Sequence, residues 1–138
     1  WRDKTLLRCS KSEITKITFT LPADSSFILE RKDSLWNADG QSADSLKTEQ
    51  YLNSLSYLNG EDFSDGFVPG SSPDYQIHIE GNNLLSILIK CYRRSGGKEF
   101  IYNSSQNPSL YFSAGDRELF EKIFKPKSYF IGSAVKKN

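Results

Sequence analysis

His78 is the single histidine of the chain. If its segment is a strand, Gln76 and Glu80, two residues away on either side, share its face. A His–Glu pair could begin a general base or a metal site. No Cys, Asp or second His stands at a spacing that would complete a ligand set or a triad, so the expectation is a solvated surface histidine. Glu61, Asp62 and Asp65 crowd a stretch that also carries Phe63 and Phe67. Paired carboxylates among aromatics are what a sugar-cleaving site needs once its surroundings drive two pKa values apart. Gly66 and Gly70 instead predict an open loop with ordinary acids, and the calcium-loop ligand spacing with its closing Glu is missing. These five residues are read as a candidate interaction patch.

Lys90, Arg93, Arg94 and Lys98 surround Gly96-Gly97, with Tyr92 and Tyr102 close in sequence. Such a hairpin can hold nucleic acid or an anionic surface, or it can be a charged sheet edge that discourages aggregation. The formal net charge of +1 provides no global field for a polyanion. The basic-edge reading is preferred, and nucleic acid is not an expected partner. Gly96-Gly97 lacks the Lys-Ser/Thr and following helix of a phosphate loop. Cys9 and Cys91 have no metal-ligand spacing. A disulfide between them would close a long loop and add about 3 to 5 kcal/mol, whereas the preferred alternative is a buried thiol at Cys91 and a free Cys9. Asn103-Ser104-Ser105 matches a glycosylation sequon, a pattern common by chance. No catalytic residue, metal or cofactor is expected, and the chain is read as a non-enzyme.

The elements that must position these residues are β-rich. The longest nearly unbroken apolar run, Leu84 to Tyr92, reads as a central strand whose face of Leu85, Ile87, Ile89 and Cys91 lies beneath helices. Residues 1–12 are polar around Leu6 and Leu7 and read as an N-terminal tether. In residues 13–60, Ile14 to Leu21 alternates, Phe27 to Arg31 and Leu35 to Asn37 follow after short turns, and a helix capped by Asp44 or Ser42 carries Thr48, Tyr51, Leu52, Leu55 and Leu58 before Asn59-Gly60. Residues 61–73 form the acidic, aromatic loop, pinned by Phe63 and Phe67. Residues 74–132 repeat the plan, with strands at Tyr75–Ile79, Leu84–Tyr92, Phe100–Ser104 and Leu110–Ser113. A helix capped by Asp116 then carries Leu119, Phe120, Ile123 and Phe124, and Pro126 ends it. Tyr129 to Ile131 is a last packing segment, and residues 133–138 fray. The expected fold class is α+β, one domain with an antiparallel or mixed sheet built from two degenerate β-meander-plus-helix units, and two helices on one face.

At 138 residues, with 37% hydrophobic and 25% charged residues, the chain suits one folded domain. It contains no Met and no apolar run of membrane-spanning length. Any membrane anchor would therefore lie upstream of Trp1.

Arg2-Asp3-Lys4-Thr5-Leu6-Leu7, Glu13 to Thr18, Phe27 to Lys32, Leu35-Trp36, Ala43-Asp44 and the Tyr51-Leu52, Leu55, Leu58 helix resemble the bacterial family called domain of unknown function 4340. The resemblance is densest from Arg2 to Phe63 and rests on packing motifs. It implies an extracytoplasmic domain, on the periplasmic side, behind an N-terminal membrane anchor, sometimes beside transport components, and with no established activity. Many members are longer and carry more than one copy of the unit. The function expected is a membrane-tethered binding or assembly module of an envelope complex with a protein partner. The alternative is a glycan- or small-ligand-binding domain with a concave site at Trp36 or several Tyr.

Overall fold

The computed structural model describes residues 4–22, 25–60, 62–64, 66–67, 72–94, 99–114 and 118–135. The strands are β1 (Thr5–Arg8), β2 (Ile14–Thr20), β3 (Phe27–Lys32), β4 (Leu35–Ala38), β5 (Gln41–Ser42), β6 (Tyr57–Asn59), β7 (Asp62–Phe63), β8 (Tyr75–Gly81), β9 (Leu84–Arg94), β10 (Glu99–Ser104) and β11 (Phe112–Ala114). The helices are α1 (Ser45–Leu55), α2 (Glu118–Ile123) and α3 (Lys127–Val135). Among the described residues, nine strands form one antiparallel sheet in the order β5-β4-β3-β2-β8-β9-β10-β11-β7, and β1 pairs with β6 beside it. This is an α+β fold, mostly antiparallel sheet.

Local chemistry explains the first half. Asp33 and Ser34 both adopt positive φ, as do Asp39 and Gly40. Two-residue loops of that hand match the twist of the strands they join, so β3 turns into β4 and β4 into β5. Asp44 caps α1, its carboxylate accepting from the Lys47 amide at 3.1 Å, and the buried Thr48 hydroxyl donates to the Asp44 carbonyl at 2.8 Å. Both edges of the large sheet are two-residue strands, which leaves little unpaired backbone to recruit another sheet.

All three helices pack on one face. Phe19 and Phe27 stack at 4.3 Å, and Phe130 of α3 meets both and the Tyr51 ring edge-on at 5.3 Å. Tyr51 donates to the Ile123 carbonyl at 2.6 Å, joining α1 to the end of α2. A second aromatic group, Tyr75, Phe100, Phe120 and Phe124, seats α2 on β8 and β10. Ile17, Leu29, Ile77, Ile79, Ile87 and Ile89 fill the core between.

Several expectations change. Residues 4–12 are part of the fold and not a tether leading to it: Leu6 is buried and Leu7 is 0% exposed. The Gln106 side-chain amide imitates a neighbouring strand for β1, its oxygen accepting from the Arg8 amide at 2.8 Å and its nitrogen donating to the Arg8 carbonyl at 2.9 Å. Asn107 donates to the Thr5 carbonyl, and Arg8 donates to the Leu58 carbonyl at 2.7 Å. Leu58 does not continue the helix. Ser56 ends α1, and Leu58 is buried from β6. Ile87, Ile89 and Cys91 are buried as expected, but Leu85 is 89% exposed. The register shift between Ile79 and Gly81 puts an extra residue into β9, so beyond it Leu84, and not Leu85, packs against the core. The sheet's middle strand is β8, with β9 next to it. A third helix, α3, takes up the expected last packing segment and runs through residues expected to fray, as far as Val135. The proposed cap Asp116 lies outside the described residues.

Candidate functional site

The sheet face away from the helices carries His78 and Lys90. His78 stands there across from Thr18 on β2 and Leu88 on β9. Its Nδ1 is 4.0 Å from a Glu80 oxygen, and Lys16 is 4.0 Å from the other. These are half-exposed surface pairs of small energetic weight. Among the described residues, no three His, Cys, Asp or Glu side chains converge on a point where a metal would sit.

The loop of residues 61–73 divides its two phenylalanines between different environments. Phe63 sits in β7, paired with Phe112 at 5.4 Å between ring centroids and partly buried against the core. Phe67 meets Tyr92 at 5.4 Å and Tyr111 at 5.3 Å. Because Tyr92 alternates with the core residue Cys91, Phe67 covers the opposite sheet face, where Ile101 is buried in register with Tyr92. Both rings therefore attach the loop to the body. Asp62 is exposed, while Glu61 and Asp65 lie outside the described residues.

The basic cluster does not form a sheet edge, because β9 lies between β8 and β10. Lys90 is half-buried in register with Gln76 and Asn103. Arg93 is exposed, and its amide donates to the Asp74 carboxylate at 2.8 Å. Arg94 belongs to β9, and Lys98 lies outside the described residues. Cys9 and Cys91 are both free. Burial chiefly, and then the Asp74 charge, pushes the Cys91 thiol far up, outweighing Arg93 and a hydrogen bond with Tyr102. Burial and Glu13 raise Cys9 as well. Asn103 of the sequon is buried and donates to the Pro108 and Leu110 carbonyls at 3.1 and 3.0 Å, so its amide holds the β10–β11 connection.

Two concavities were not anticipated in this form. One is a groove of about 510 Å³ between α2 and α3, lined by Pro126 and Tyr129 over the buried Phe120 and Phe124, with Glu121, Lys125 and Ser128 at its margin. Lys125 Nζ lies 4.6 Å and Lys47 Nζ 5.5 Å from the centre of the Tyr129 ring, distances at which a cation is attracted to the ring face. Neither lysine forms an ion pair among the described residues. The other is a cleft of about 210 Å³ between the β3–β4 hairpin and the start of α1, lined by Arg31, Leu35, Trp36, Ser42, Ser45 and Glu49 among others. The alternative ligand-binding reading called for a concave site with Trp36 or several Tyr exposed; Trp36 does line this cleft, but is only 8% exposed. The groove was hidden from sequence reasoning because it depends on how α3 sits against α2, while Phe120 and Phe124 beneath it are the core positions their spacing indicated. The Trp36 cleft had one visible signal, Asp39-Gly40, a strong hairpin dipeptide that brings Ser42 and α1 back beside Arg31.

Among the described residues, no helix is long and apolar enough to cross a membrane. The family model described as Domain of unknown function (DUF4340) matches residues 1–77, more than half of the chain, and the match ends inside β8. The chain belongs to that family. No curated protein and no solved structure matches it.

Proposed function

With membership of this family as the premise, we propose that the chain is a non-catalytic binding and assembly module. It is held on the extracytoplasmic side of a bacterial membrane by an anchor ahead of Trp1 and docks a protein partner within an envelope complex. The supporting observation is the groove between α2 and α3, where the exposed Pro126 and the half-buried Tyr129 ring are flanked by Lys47 and Lys125, neither in an ion pair among the described residues. Its chemistry matches a segment of a partner protein that carries an apolar side chain beside a carboxylate: Pro126 and Tyr129 receive the apolar group, and Lys47 and Lys125, on the Tyr129 side away from Glu121, meet the carboxylate.

The reading extends to the chain's organisation as two copies of one β-meander-plus-helix unit. Its support is that β2 and β8 open the two halves, lie antiparallel, and are each followed by strands running outward in sequence order. The test of function places a photo-crosslinking residue at the exposed Ser128 of the full chain in its native membrane. The expected result is one envelope protein captured, with capture lost on Lys125→Glu. Capture that this charge reversal leaves unchanged, or adducts to the chain itself alone, would refute the docking surface. Protease protection in spheroplasts with an opened outer membrane and a sealed inner membrane, with cleavage only after lysis, would refute the extracytoplasmic assignment.

A further inference from the structure

The cleft beside Trp36 concentrates hydrogen-bonding groups that the fold leaves unused. Arg31 projects on the helix-covered face of β3, in register with Trp36 and with its guanidinium carbon 6.0 Å from that ring. Its one protein hydrogen bond among the described residues is long, 3.4 Å from Nη1 to the Ser12 carbonyl. The remaining guanidinium donors keep the planar fork that suits a carboxylate. The hydroxyls of Ser34, Ser42 and Ser45 and the indole N–H of Trp36 bond to no protein group among the described residues. Glu49 also lines the cleft, but Lys11 holds its carboxylate at 2.7 Å. The pair is neutral as a unit, so the charge left at the cleft is that of Arg31.

We propose that this cleft is a binding site for a small hydroxylated carboxylate, a sugar acid of monosaccharide size. Arg31 takes the carboxylate, the serine hydroxyls and the Trp36 N–H bond the ring hydroxyls and ring oxygen, and the exposed Leu35 covers the apolar face of the sugar. Size agrees with this class. A volume of about 210 Å³ is roughly seven water volumes, below the usual range of drug-sized pockets. The β3–β4 turn, whose Ser34 lines the cleft, has positive φ at Asp33 and Ser34, and the β4–β5 turn that returns Ser42 to it has positive φ at Asp39 and Gly40, so the donors are presented by tight hairpins. The site is independent of the groove between α2 and α3.

The test is titration of the full chain with glucuronate, followed by the indole N–H resonance of Trp36, assigned by its loss in Trp36→Phe. A saturable shift is expected with glucuronate, and binding at least about tenfold weaker with glucose or acetate, each of which lacks one half of the recognised chemistry. Arg31→Gln should weaken glucuronate binding by at least about tenfold. Ser45→Ala, at an exposed position, should weaken it several-fold with the unfolding midpoint unchanged. No saturable shift with glucuronate, equal binding of acetate, or glucuronate binding indifferent to both substitutions would overturn the assignment.

Discussion

Replacing Leu7 by Ala is the most direct test of how the N-terminal segment contributes to the fold. Leu7 is 0% exposed in β1, and it sits in a strand held on one side by β6 and on the other by the amide of Gln106. Trimming its isobutyl group to a methyl removes about three carbons, or about 2.4 kcal/mol of transfer free energy at 0.8 kcal/mol each. The two anchored edges limit collapse around the void, so a cavity term brings the loss to about 3 to 4 kcal/mol. A domain of this size has about 5 to 15 kcal/mol of total stability. With a urea dependence of about 2 kcal/mol per molar, the midpoint should fall by about 1.5 to 2 M. Urea unfolding followed by far-ultraviolet circular dichroism gives this number. Leu46→Ala is the comparison, because Leu46 is 67% exposed on α1 and its loss should change stability by less than about 0.5 kcal/mol. If Leu7→Ala were as mild as Leu46→Ala, residues 4–12 would be a tether after all, and the β1–β6 pair would contribute nothing to the core.

Other consequences concern titration, the sequon and one glycine. Cys91 and Tyr51 both have pKa values raised by burial in the folded state. Their contribution to stability is full below the unfolded-state pKa values and is lost as pH rises above them. Unfolding free energy should therefore decline from about pH 9 by up to about 1.4 kcal/mol per pH unit for each group, and Cys91→Val should remove the earlier part of the decline; a flat profile to pH 10 would contradict this burial. Asn103→Ala should cost about 1 to 3 kcal/mol by leaving the Pro108 and Leu110 carbonyls without their donor, and mass spectrometry after exposure to a glycosylating enzyme should find Asn103 unmodified in the folded chain and modified in the unfolded one. At Gly81 an added Cβ would stand 1.9 Å from the Glu13 carbonyl oxygen, which already accepts from the Asn82 amide at 2.9 Å. Since the obstacle is backbone, Gly81→Ala should destabilise by about 1 to 3 kcal/mol in the same urea assay.

Much of the sheet was legible because alternation is a local property. Ile17 and Phe19, Ile77 and Ile79, and Ile87 and Ile89 mark one face of three strands, and each pair is buried where the period of two puts it. Asp44 was legible as a cap because a carboxylate three residues before an amide needs only its own turn of helix. Five elements were not legible: β1 and β7 lie in stretches read as a tether and a loop. β5 and β6 are too short to carry a period, and α3 holds its place through Phe130, whose partners Phe19 and Phe27 are far away in sequence.

Site residues divide in the same way. His78, the acidic loop and the basic hairpin stand out by residue type. Yet the strand order surrounds β9 with neighbours, and packing commits Phe63 and Phe67 to opposite faces of the sheet. Arg31, Ser42 and Glu49 have no signature as a set. They face one cleft because two tight hairpins fold β4 and β5 back beside β3 and start α1 there. The sequence by itself determined the α+β class, the family and most strand faces, since these follow from spacing within a few residues. Only the tertiary structure decided that β2 pairs with β8, that the N-terminal strand belongs to the core and that unused donors gather beside Trp36, because those depend on contacts between residues distant along the chain.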